Sequence, residues 1–440
     1  MRLIGKRVVL IESVKVFIKS IVIVILLTLI NMLILVGSFM LPTGRMRQHV
    51  ADSYLLIEAE EPYLEWDTYY LSTRLDFWSE YTEYGMAING DSEGSPFEQA
   101  MYMRYIDTEG RPRDVSVKDY ARNPDDYFEL SDYPRYWNGI VIFYKVLLLF
   151  FTIHDIRILN MFIQLLLLCL IVYLMVKKDL SQHIFYFLIA ILFINPVTML
   201  MSVKFSSEYV PMLLGIIVIL LWGERIDRIN GGWIYFFTIM GSITSFLCML
   251  SAPAITLGIP LLFAIWITGE KNVTKKAASA SFYWFTAYGI TWAMKWVICS
   301  LFTSYNLIAD AIERANFYSA DQGDTVTLAD RIQANILIYN LNGYKLLLGF
   351  AVAVVFFTII ADRGKKKEYD HNYKLVDVIV GYSIVLAIPF VVFAVLGNGY
   401  SYEHSYMSHR QLAIAVGAGL CIIRVLITQC LGALERINKY

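Results

Sequence analysis

Residues 41–137 carry 20 acidic and 9 basic side chains. Asp52, Glu58, Glu65, Asp67, Asp76 and Glu80 lie in the first half of this stretch, several of them inside the aromatic run LEWDTYYLSTRLDFWSEYTEY (64–84). Aromatic neighbours desolvate a carboxylate and raise its pKa, which suits it to take a proton from a hydroxyl as a general base. Asp76 and Glu80, four residues apart, would share one helix face. The order of candidates is Asp76, Asp67, Glu65, Glu80. One base is enough, so most of the twenty acids are expected to be solvated surface groups.

A second set of side chains could hold an anion. Arg135, Arg157, Lys204, Lys295, His404, His409 and Arg410 fall near the ends of apolar runs. Lys295 lies within YGITWAMKWVICSLF (288–302), where an ionisable group is expensive and points to function, with snorkelling to the nearby boundary as the plain alternative. Arg410 precedes the last apolar run and could grip a phosphate through two N–H groups. His404 and His409 complete the densest polar cluster late in the chain, which could equally be a helix start capped by Ser408. The histidines lack paired ligand spacing, so a divalent cation, if one is used, would rest on loop carboxylates; no other cofactor is indicated.

The elements that must position these groups are helices in a membrane. Of the 440 residues 57% are hydrophobic and 17% charged, outside the range of soluble domains. Apolar runs of about 20 residues match a bilayer core of about 30 Å crossed at 1.5 Å per residue. Ten spans are expected, at about 17–40, 156–176, 181–201, 207–222, 232–250, 253–268, 279–302, 342–361, 373–396 and 411–432. The chain reads as an all-α polytopic protein.

Basic residues set the orientation. The terminus with Arg2, Lys6 and Arg7 is expected in the cytoplasm, in line with Lys177 and Lys178, Arg225 and Arg228, Lys271, Lys275 and Lys276, DRGKKKEYDHNYK (362–374), and Arg436 with Lys439. Both termini are then cytoplasmic, in a multi-pass protein of the plasma membrane. Residues 1–40 are the amino terminus and first anchor, 41–155 an acidic extracytoplasmic loop, and 156–440 nine further helices with outer loops at 303–341 and 397–410. Cys169, Cys248, Cys299, Cys421 and Cys430 all lie in or beside apolar runs, which argues against a disulfide framework. The net charge of −1 suggests no nucleic-acid partner.

The segment 138–153 is apolar but contains Lys145 and leads into His154, Asp155 and Arg157. It is expected to lie in the membrane surface with Lys145 snorkelling, before a spanning helix from 156.

The order of a long first helix, an acidic outer loop, DYPRYWNG (132–139), a surface helix and DIRILN (155–160) resembles the membrane glycosyltransferases of the GT-C fold. The chain also resembles a group of bacterial cell-envelope polytopic proteins, through YPRYW and the late HSYMSHRQ (404–411). Arg135 stands where the GT-C motif has its second proline. The resemblance implies a GT-C-like fold with about ten transmembrane helices. It also implies a polyprenyl-phosphate-linked sugar donor held by the outer-face cations, and transfer to a glycan or lipid acceptor with a loop carboxylate as base. A polysaccharide polymerase or ligase of O-antigen type, or a transporter or flippase of lipid-linked glycans, are the other classes this anatomy serves.

Overall fold

A computed structural model describes residues 2–68, 70–90, 94–108, 110, 112–310, 312–313, 326–361, 373–397 and 399–437. The expected inner-face cluster Lys365, Lys366 and Lys367, together with Lys439, lies outside the described residues.

A stretch rich in Val, Ile and Leu, without proline, makes α1 (Arg2–Ser38) a single helix. The hydroxyls of Ser20 and Thr28 fold back onto Val16 O and Val24 O, which satisfies them in apolar surroundings. Ile18, Leu26, Ile30 and Leu33 stay exposed, a continuous apolar surface that lipid rather than water solvates.

The acidic segment folds into a packed unit. It contains α2 (Gly44–Asp52), α3 (Tyr54–Glu58), α4 (Phe77–Ile88), α5 (Pro96–Tyr102), β1 (Tyr105–Ile106), α6 (Arg113–Arg122), β2 (Leu130–Ser131) and α7 (Ile140–Leu148). The two strands form an antiparallel pair, Tyr105 opposite Ser131 and Ile106 opposite Leu130. Helix α4 is its centre: Tyr81, Tyr84, Met86 and Ile88 are fully buried against a core that includes Val117, Tyr120 and Tyr144.

The surface helix appears as α7, but with Lys145 on the opposite side from the one expected. Lys145 is buried, donates to Ala87 O at 2.7 Å and sits 4.5 Å from the Phe39 ring centre. The far side presents Phe143 and Val146, continued by Phe150, all exposed. The ammonium therefore caps the carboxyl end of α4, where helix carbonyls lack partners, and the apolar side stays exposed. Burial lowers the Lys145 pKa to about 8.

Thr152 then starts α8 (Ile153–Lys177) with a capping box: its hydroxyl accepts from Asp155 N, and Asp155 accepts from Thr152 N. The bundle continues through α9 (Ile184–Ile194), α10 (Pro196–Met201), α11 (Ser206–Arg228), α12 (Gly232–Leu247), α13 (Ile255–Ile267) and α14 (Val273–Phe302). It closes with α15 (Leu328–Leu337), α16 (Asn342–Ala361), α17 (Tyr373–Val395) and α18 (Leu412–Ile437).

Among the described residues five segments are long and apolar enough to cross a membrane: Glu12–Ser38, Ile153–Lys177, Ser206–Arg228, Leu375–Val395 and Ser405–Leu431. A sixth is reached if Leu328–Leu337 and Asn342–Phe357, bent by 86°, count as one. Ser181–Ile194, Gly232–Leu247 and Ile255–Ile267 are apolar but shorter. The protein is thus helical and of membrane type, with five to six helices that meet the length criterion. The expected span 181–201 is broken at Asn195, which adopts a left-handed φ of 60° and accepts from Thr198 N to start α10. Its amide donates to Ser72 O at 3.0 Å, so the break faces the outer unit.

DYPRYWNG fastens the two parts together. Trp137 Nε1 donates to Thr291 O at 2.7 Å, and Gly139 N to Phe246 O at 2.8 Å. Trp292 and Trp296 both donate to Arg135 O. A Cβ on residue 139 would come within 2.3 Å of the Phe246 ring, so only glycine allows this approach.

Candidate active site

The four candidate carboxylates separate once their partners are placed. Glu65 pairs with Arg74 at 2.6 Å. Asp67 is half-buried in a loop closed by Thr73, whose hydroxyl donates to Asp67 O at 2.8 Å. Glu80, fully buried, accepts four hydrogen bonds: Arg157 Nε at 3.0 Å, Tyr84 OH at 3.1 Å, Ser202 Oγ at 2.7 Å and Lys204 N at 3.3 Å. A carboxylate so engaged has little capacity left for a substrate proton.

Asp76 differs. It is 1% exposed and forms the N-cap of α4, with Oδ1 accepting from Ser79 N at 3.1 Å. Its Oδ2 is buried and has no hydrogen-bond partner among the described residues. Buried carboxylate oxygens are rarely left so, because the desolvation cost is uncompensated. The cap fixes the carboxylate and leaves one acceptor oxygen open.

The aromatic rings expected around these acids cluster here. The chain 62–65 runs beside 74–78: Leu75 N donates to Leu64 O at 2.8 Å, Trp78 N to Pro62 O at 3.0 Å, and Glu65 bridges to Arg74. This register brings Tyr63 alongside Asp76. Burial and then the Asp76 charge raise the Tyr63 pKa. Tyr63 meets Tyr406 edge-on at 6.0 Å, and Arg74 lies 5.2 Å from the Tyr406 ring centre.

The candidate cations also separate. Arg157, on the first turn of α8, is tied to both Glu60 and Glu80. Lys204 pairs with Glu83 at 2.9 Å, instead of with its near neighbour Glu208. Burial raises the Glu83 pKa to about 7 despite the ammonium beside it, whereas at Lys204 burial is opposed by the neighbouring acids, Glu83 first and Glu208 with it, and together they raise that pKa. Arg135 pairs with Asp310 at 3.1 Å. Lys295 is buried and donates to Ala100 O at 2.8 Å, 5.0 Å from the Trp137 ring centre, so it reaches into the outer unit and does not snorkel. His404 is exposed and edge-on to Tyr406 at 5.9 Å. His409 is buried, with Nδ1 at 2.9 Å from Ser405 O and Nε2 unpartnered among the described residues.

Arg410 keeps its charge without an ion pair among the described residues. Fully buried, it donates to the carbonyls of Tyr406 at 2.9 Å, Ser72 at 3.4 Å and Arg74 at 3.3 Å, above the Phe205 ring. Tyr406 lies within electrostatic reach of Asp76, Arg74 and Arg410 together. Ser408, considered as a helix cap, instead donates to Asn335 Oδ1 at 2.7 Å.

Next to Arg410 an apolar recess of about 310 Å³ opens on the bundle flank, lined by Phe193, Tyr339, Leu348, Leu412, Val416 and Ile423 among others. Its lining reaches the polar site through Tyr339, whose OH donates to Phe193 O at 2.6 Å and lies 3.1 Å from His409 O. Among the described residues no group of three or more His, Cys, Asp or Glu side chains converges on a metal position.

Sequence reasoning passed over Glu60, Glu83, Arg74 and Tyr406. Glu83 carried a signal, being three residues beyond Glu80 in an aromatic helix; the others are recognised only through contacts distant in sequence. No family model matches the chain, and no curated protein or solved structure matches it either.

Proposed function

We propose that this protein is a membrane glycosyltransferase of GT-C type. It moves a sugar from a polyprenyl-phosphate-linked donor to a cell-envelope glycan or lipid acceptor on the extracytoplasmic side of the plasma membrane. The observation that carries the reading is the open Oδ2 of Asp76, a buried and rigidly capped carboxylate close to a buried, carboxylate-free arginine. In this reading the acceptor hydroxyl gives its proton to Asp76 as its oxygen bonds to the anomeric carbon. The bond from that carbon to the phosphate oxygen breaks, and polyprenyl phosphate leaves with the electron pair. Arg410, with Arg74 near it, offsets the charge that gathers on the phosphate.

The apolar recess beside Arg410 supports a donor with a lipid tail, since it puts a hydrocarbon site at the edge of the polar one. In the same reading all ten apolar segments cross or enter the membrane, the shorter ones as partial or tilted spans. The basic loops face the cytoplasm with both termini, and the exposed Phe143, Val146 and Phe150 rest in the outer leaflet.

The test is binding and turnover of a polyprenyl-phosphate monosaccharide by purified full-length protein in detergent. Donor binding that weakens in Arg410→Ala, with release of polyprenyl phosphate that stops in Asp76→Ala, supports the assignment. Absence of binding to any lipid-phosphate donor removes it and favours a transporter or an assembly factor.

A further inference from the structure

Tyr63 and Trp66 are half-exposed, at 41% and 42%, on the segment that runs beside Asp76. Large aromatic side chains at a surface normally cost free energy and move freely, yet both of these are held. Trp66 Nε1 donates to Thr198 Oγ1 at 3.2 Å, and that hydroxyl in turn donates to Ser72 O at 3.1 Å. Ser72 O also accepts from Arg410 and Asn195. Tyr63 is braced edge-on by Tyr406. The backbone beneath them is pinned by the Leu64–Leu75 and Pro62–Trp78 hydrogen bonds and by the Glu65–Arg74 ion pair. These contacts hold two partly exposed rings on one segment, whose Tyr63 lies alongside Asp76, a buried carboxylate with one oxygen unpartnered among the described residues.

We infer that Tyr63 and Trp66 form a stacking platform for a pyranose ring of a glycan acceptor, presenting one of its hydroxyls to Asp76. This inference rests on the transferase reading and adds the acceptor's chemical class to it. A pyranose has an apolar C–H face and a polar rim. A fixed ring accommodates the face at little entropic cost, while a polar group at its edge reads the rim. The ion-paired Glu65 and Arg74 and the exposed His404 supply such edge groups.

Three readouts on the full-length protein decide the matter. The first is release of polyprenyl phosphate to water without acceptor. The second is transfer as a function of acceptor oligosaccharide concentration. The third is saturation-transfer NMR with a panel of hexose and N-acetylhexosamine disaccharides and no donor. Trp66→Ala and Tyr63→Ala should raise the acceptor KM about tenfold or more, a loss of about 1.4 kcal/mol, and abolish saturation transfer while donor hydrolysis continues. Trp66→Phe keeps a ring but loses the hydrogen bond to Thr198, so it should fall between wild type and Trp66→Ala, which separates stacking from misfolding. An unchanged KM and undiminished saturation transfer in Trp66→Ala overturn the platform. If wild type neither hydrolyses nor transfers, the transferase reading fails by itself, and the disaccharide signal still decides the platform: its loss in Trp66→Ala supports it, and its absence from wild type overturns it.

Discussion

Arg157 donates Nε to Glu80 Oε1 at 3.0 Å, and this bond joins the first turn of α8 to the central helix of the outer unit across 77 positions of sequence. The same guanidinium binds Glu60, which also accepts from Tyr81, and stacks 4.3 Å from the Phe77 ring centre. The arginine of DIRILN therefore works as a rivet that orients α4, and with it Asp76 at the start of that helix.

Its removal should be costly. Arg157→Met leaves Glu80 and Glu60 as buried carboxylates without a counter-charge, and breaking such a pair costs about 3–5 kcal/mol. We expect a large drop in the melting temperature of detergent-solubilised protein, with a smaller drop in the double variant Arg157→Met/Glu80→Gln. Equal melting of Arg157→Met and wild type would contradict the rivet.

Glu83 gives stability a pH dependence of definite sign. Its folded pKa of about 7 lies above the ordinary glutamate value of about 4.3. Between those values the folded protein holds more proton at this site than the unfolded chain does, so its contribution falls as pH rises through that window and levels off above about 7. The raised Lys204 pKa acts only at higher pH, above the ordinary lysine value. From acid to neutral pH the melting temperature of wild type should fall relative to that of Glu83→Gln. An identical slope in the two would locate the effect in another group.

Gly139→Ala tests the join between outer unit and bundle. The new methyl group would have to push apart Gly139 and Phe246, which are linked by a 2.8 Å backbone hydrogen bond. Overpacking of this kind costs about 1–3 kcal/mol. The expected result is a lower melting temperature together with faster proteolysis of the 41–137 segment; an unaffected variant would mean that the junction yields freely.

Orientation can be read chemically. In a background lacking the exposed Cys169 and Cys430, a cysteine at Asp125 should react with a membrane-impermeant maleimide in intact cells. One at Lys271 should react only after permeabilisation. The reverse pattern would invert the topology and place Asp76 on the cytoplasmic side.

What could be read from sequence follows from how local each signal is. The α1 run is local and appears where its residues indicate, whereas α8 begins at Ile153, ahead of the expected 156, because Thr152 and Asp155 form a capping box. The Asn195–Pro196 break lies inside an apolar run but has a local cause, the proline and the Asn195 cap on Thr198 N, to which the hydrogen bond from Asn195 to Ser72 adds a distant anchor. Lys145 is a stronger case. An amphipathic pattern shows that a helix has two faces but not which face meets lipid, and the carbonyl of Ala87 decided it. For the candidate site, Asp76 was legible as a carboxylate among aromatics and ranked ahead of Glu80, but the physical reason for that order was not legible. That distinction depends on Arg157, Ser202 and Lys204, which bind Glu80 and leave Asp76 open.

Asp76 has two roles that substitution can separate. Asparagine caps a helix about as well as aspartate, because its carbonyl oxygen also accepts from the N3 amide. Asp76→Asn should therefore melt with wild type. As a base it fails, having no proton affinity to offer, and turnover should fall by about 10²–10⁴. Asp76→Ala loses both functions, so the same fall in turnover should come with about 1 kcal/mol of destabilisation. An asparagine variant that turns over normally would leave Asp76 as a cap alone. One that unfolds would mean that the carboxylate charge, held near the α4 amino terminus, is what the fold requires.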